Sequence, residues 1–68
     1  MAIDYQREID GIKARCAPGP ERQRAYTKLA QRVEAARDRA SLLQVRHSLS
    51  VLAHHAKALA RQEAQRHQ

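Results

Sequence analysis

The stretch Asp38-Arg39-Ala40-Ser41-Leu42-Leu43-Gln44 admits two readings, and each gives a different molecule. In the first it is the middle of one helix. Residues 21–66 contain no Gly and no Pro and are rich in Ala, Arg, Gln, Glu and Leu, all strong helix formers. A continuous helix of that length is about 65–70 Å long. In the second reading the chain breaks at about 38–41, because Ser41-Leu42-Leu43-Gln44 matches the Ser-x-x-Gln form of a capping box. So short a motif often arises by accident, and the continuous helix is the favoured expectation.

Upstream, the punctuation is strong. Cys16-Ala17-Pro18-Gly19-Pro20-Glu21 removes two backbone donors and restricts Ala17 and Gly19, while Gly19 admits a positive φ. Pro20 suits the first position of a new helix, and Glu21 sits favourably near its positive end. Before this turn, Tyr5, Ile9, Ile12 and Cys16 recur at helical spacing behind a possible N-cap, Asp4. Gly11 weakens that helix by roughly 1 kcal/mol relative to Ala. The expected fold is therefore all-α: a helical hairpin with a short helix at 4–16, a Pro-Gly-Pro turn and a long helix at 21–66, in one small domain whose last residues fray.

The apolar pattern of the long helix changes side. Tyr26, Leu29, Val33, Ala36, Ala40 and Leu43 form one stripe; Leu42, Val45, Leu49, Leu52, Ala56 and Leu59 form another, rotated by roughly 160° on an unbroken helix. The short helix, about 20 Å long, can cover only residues 21–36. On the continuous reading, the second stripe needs an outside surface, either another copy of the chain in a dimeric bundle or a different protein. On the broken reading, a three-helix bundle uses both stripes internally.

Composition sets the outer limits. The chain has 68 residues and a mass of 7.7 kDa, without Phe or Trp, and its hydrophobic 43% is dominated by Ala. Twelve Ile, Leu and Val supply little core area, which favours assembly and leaves no room for an ordinary enzyme with a separate pocket. No Gly-rich phosphate loop or nucleophile elbow is present, so no enzymatic activity and no cofactor are expected. No apolar run approaches a membrane span, and a single cysteine fits a reducing, cytoplasmic setting. His47, His54, His55 and His67 lack the i+3 or i+4 spacing that brings helical ligands onto one ion, so no metal site is expected. Cys16, beside the turn, reads as a small core residue, because a helix C-terminus raises a thiol's pKa.

Charge is the most specific signal. Thirteen Lys and Arg against seven Asp and Glu give a net charge of +6. On a continuous helix, Lys28, Arg32, Arg39, Arg46, Lys57 and Arg61 project within a sector of about 60°. Such a track suits phosphates, with counterion release making affinity steeply salt-dependent. Its length, about 50 Å, exceeds what one straight duplex can meet before turning away within about 34 Å. With only Tyr5 and Tyr26 as aromatics, a base-stacking platform is not expected. The plainer reading of the same cations is a solvated helix face, and an acidic partner protein would use them equally well. The leading expectation is a non-enzymatic nucleic-acid-associated regulatory or accessory factor, binding DNA or RNA as a homodimer. The rival is an adaptor, inhibitor or co-chaperone that docks on a partner protein through Leu42, Val45, Leu49, Leu52, Ala56 and Leu59.

Overall fold

The computed structural model describes residues 5–66, which form three helices: α1 (Tyr5–Arg15), α2 (Pro20–Arg39) and α3 (Leu43–Gln65). The proposed N-cap Asp4 and the final residues, 67 and 68, lie outside the described residues. α1 and the start of α2 fall where the Pro and Gly signals place them. Gly19 has φ 103°, the left-handed region that disfavours a side chain, and is buried at the turn. Pro20 opens α2, and the Glu21 carboxylate accepts the Ala17 N–H.

The long helix from 21 to 66 does not form. Ala40 and Leu42 adopt extended backbone (ψ 136° and 127°), and Ala40 closes α2 by donating to the carbonyls of Ala36 and Arg37. The break falls close to the capping-box sequence, but the box itself is not what ends the helix. Leu42, one residue later than Ser41, is the N-cap of α3, and no side chain caps it. The reason lies in the two stripes. On one rod they face nearly opposite ways, and a reversal lets Tyr26, Leu29 and Val33 of the first share a core with Leu49, Leu52, Ala56 and Leu59 of the second, while Leu42, Leu43 and Val45 stay exposed at the connection.

That core is small and shared by all three helices. Ile9 and Ile12 of α1, Tyr26, Leu29 and Val33 of α2, and Ala53 and Ala60 of α3 are buried in one cluster. α1 folds back along α2, as its length allows, so that Glu8 reaches Arg32. α3 presents a seam of Ala53, Ala56 and Ala60, small enough for close approach of the two long helices, with Leu49, Leu52 and Leu59 partly buried beside it.

A polar latch joins the three helices at the turn end. Arg22 donates through Nε to the Cys16 carbonyl (3.0 Å) and through a terminal nitrogen to the Lys13 carbonyl (2.7 Å), so it satisfies acceptors at the end of α1. The same guanidinium lies 3.9 Å from Glu63, whose carboxylate also accepts the Gly19 N–H at 3.4 Å and meets Arg66 at 2.9 Å. Glu63 is only 4% exposed, a burial that a carboxylate tolerates when it is paired in this way.

Candidate nucleic-acid interface

Because the rod is broken, the six cations of the expected track do not share one sector. Lys28, Arg32 and Arg39 remain on α2, all exposed. Lys28 and Arg32 border the groove between α1 and α2, where Arg15 joins them. Arg39 borders the next hollow along, with Tyr5, Arg32 and Ala36. Arg46 sits on the exposed opening turn of α3. Lys57 and Arg61 line a different groove, on the other side of α2, with Gln31 and Glu34.

Pairing sorts them further. Arg32 is held at 2.9 Å by Glu8, and Lys57 at 3.1 Å by Glu34. Arg37 is shared between Glu34 (3.9 Å) and Asp38 (3.4 Å). Among the described residues, Lys28, Arg39, Arg46 and Arg61 have no carboxylate within ion-pair distance. Arg24 has none either, and it lines one groove with Lys28 beside the Pro-Gly-Pro turn. Arg24 was missed by the sector argument because a rod running to residue 66 centres its basic face on later residues. Its position four residues before Lys28 is the signal that places it on α2's outer face.

The resulting surface is a line of Arg24, Lys28, Arg32 and Arg39 along α2. From residue 24 to residue 39 it rises about 22 Å. Three of its four charges are exposed and have no counter-ion among the described residues, so no pair described here must be broken before they meet an anion. The exception, Arg32, is anchored by Glu8, whose second oxygen, Oε2, is buried without a hydrogen-bond partner.

The second expected site is divided by the fold. Leu42 is 68% and Val45 43% exposed, whereas Ala56 is 1% exposed, and Leu49, Leu52 and Leu59 pack against the core. Leu43 (80%) and Val51 (56%) join the exposed set. His47, His54 and His55 are exposed, and among the described residues no three His, Cys, Asp or Glu side chains are placed to share a metal ion. Cys16 is half-buried against the core as a free thiol. Tyr26 is almost fully buried, so its phenol is held above its ordinary pKa chiefly by desolvation; nearby Glu63 and Cys16 reinforce the shift, while Arg22 and Arg66 oppose it. No described helix is long and apolar enough to cross a membrane.

No family model matches this chain, and searches of curated proteins and of solved structures also find no match.

Proposed function

We propose that the protein is a non-enzymatic accessory factor that binds the phosphate backbone of DNA or RNA through the outer face of α2. The observation that carries this reading is the line Arg24, Lys28 and Arg39, exposed and, among the described residues, free of carboxylate partners in a chain where Glu34 and Glu63 are each engaged by more than one cation. Its length supports the reading as well. About 22 Å fits within the roughly 34 Å of one duplex turn, a match that the 50 Å rod could not make. Backbone contact without base readout suits a surface with Tyr26 buried and no other aromatic besides Tyr5.

The test is a salt titration of affinity for a short duplex, with the wild type and the triple variant Arg24→Glu, Lys28→Glu, Arg39→Glu. Three phosphate contacts predict a slope of log affinity on log salt of about −2.7, and the triple variant is expected to lose binding while keeping its helicity. Undiminished binding by the variant rejects the assignment. A second reading, docking on another protein in a cytoplasmic setting, is favoured by one observation only: the exposed Leu42, Leu43, Val45 and Val51 near the α2–α3 connection.

A further inference from the structure

The connection between α2 and α3 is apolar where connections are ordinarily polar. Every residue from 41 to 48 is exposed, with Leu42 at 68% and Leu43 at 80%, so no described residue covers the opening turns of α3. The same stretch is one-sided in charge. From residue 39 to residue 62 the sequence contains no Asp and no Glu, while it carries Arg39, Arg46, Lys57 and Arg61. Asp38, just before it, meets Arg37 at 3.4 Å. We propose that this tip docks on the surface of a lipid bilayer containing anionic lipids, with Leu42 and Leu43 entering the headgroup layer and Arg39 and Arg46 meeting the anionic headgroups.

All three helices contribute to the tip. Arg46 follows Leu42 by four residues and Leu43 by three, so on α3 it stands beside both. Its backbone N–H donates to the Leu42 carbonyl at 3.0 Å, which fixes that first turn. Arg39 is the last residue of α2, on the other side of the connection. Half-buried Tyr5 comes to the same end from α1 and borders a hollow with Arg39 and Ala40. A tyrosine suits the membrane–water boundary, where its ring meets apolar matter and its hydroxyl meets water.

Area and shape select a bilayer over a protein. Leu42, Leu43, Val45 and Val51 are few against the roughly 20–30 residues a side of a standard stable protein interface. A bilayer needs no matching surface, because lipid closes around whatever side chain enters it and withdraws that side chain from water. Charge then selects the lipid. Cations beside an anionic leaflet are attracted to it, and no acidic side chain from 39 to 62 opposes them. Leucine insertion and headgroup attraction are two separate contributions, the combination that reversible attachment to a membrane surface requires. The inference does not rest on the proposed function: Arg46 and the leucines lie off the line on α2, and Arg39 alone borders both surfaces.

The experiment sediments the full-length protein with two kinds of vesicle, phosphatidylcholine alone and phosphatidylcholine with phosphatidylserine in equal parts. Binding to the mixed vesicles and little to the neutral ones is expected. The double variant Leu42→Ser, Leu43→Ser keeps every charge and places a favourable capping residue at the start of α3. It is expected to lose about tenfold or more in vesicle affinity, with helicity and affinity for a duplex unchanged. Arg46→Gln is expected to lose about fivefold. In Cys16→Ala, Ser41→Cys, an environment-sensitive fluorophore at position 41 should shift to the blue on adding mixed vesicles. Equal vesicle binding by the double leucine variant means that charge alone, without the tip, holds the membrane, and overturns the inference. Equal binding to neutral vesicles overturns the choice of lipid. No binding to either kind overturns the whole inference and leaves a protein as the occupant of the tip.

Discussion

Glu63 shows how much one side chain can organise in a chain this small. Its carboxylate is nearly sealed from solvent yet meets Arg22, Arg66 and the Gly19 amide, and through Arg22 it is tied to the end of α1. Replacing it with Gln keeps the shape and removes the charge that both guanidiniums face. The expected cost of Glu63→Gln is about 1–3 kcal/mol, read as a lower midpoint in urea. For 68 residues, whose whole stability is of order 3–10 kcal/mol, that is a large share. Tyr26, close by, gives a second expectation. Its folded pKa is raised, so above the ordinary tyrosine value of about 10 the unfolded chain releases the proton more readily than the folded one. Stability is thus unaffected by this group below about pH 10 and falls as pH rises through the folded value. Thermal melts between neutral pH and about pH 11 should show the fall, and Tyr26→Phe should show less of it.

At the level of the helices, the informative residues are those of the alanine seam. Ala56 belongs to the stripe that an unbroken helix would offer to an outside partner, yet here it is 1% exposed and part of the molecule's own packing. Ala56→Leu therefore adds a side chain to a filled space and is expected to cost about 1–3 kcal/mol, whereas a surface position would tolerate it; chemical denaturation of the two proteins side by side is the check. The first turn was legible because Pro18, Gly19 and Pro20 act through covalent geometry, which needs no tertiary context. The second was not, because Ala40, Ser41 and Leu42 carry no comparable constraint and every one of them is acceptable within a helix. What breaks the chain there is the burial of two stripes that face apart. The rotation between them was visible in the sequence, but it is equally compatible with two partners for one rod and with one core for two helices. Only the packed structure distinguishes these outcomes. The proposed interface on α2 follows the same division: Lys28 and Arg39 share a face by spacing alone, while the pairing of Arg32 with Glu8, twenty-four residues away, and of Lys57 with Glu34 depends on which helices become neighbours.

For the whole molecule, folding the rod into a bundle 40 Å long shortens the basic line to α2 and parts Lys57 and Arg61 from it. Carboxylates are drawn to the seams between helices, where Glu8, Glu34 and Glu63 clamp one element to another, and the outer face of α2 is left to cations. Glu8 is the carboxylate that pairs with a member of that line. It holds Arg32 at 2.9 Å and leaves Oε2 without a partner, so it both withdraws one cation from the line and keeps a negative charge beside it. Glu8→Gln removes that charge and frees Arg32 to contact a fourth phosphate. The expected outcome is a gain in affinity for a duplex of several-fold at low salt, and a salt slope steeper by about 0.9, the increment for one further phosphate. Because the ion pair is partly exposed, its loss should lower stability by no more than about 1 kcal/mol, leaving the bundle intact for the measurement. Affinity that falls with Glu8→Gln, in a variant of unchanged helicity, would mean that the anion binds where the Glu8–Arg32 pair must remain closed, and not along the outer line of α2.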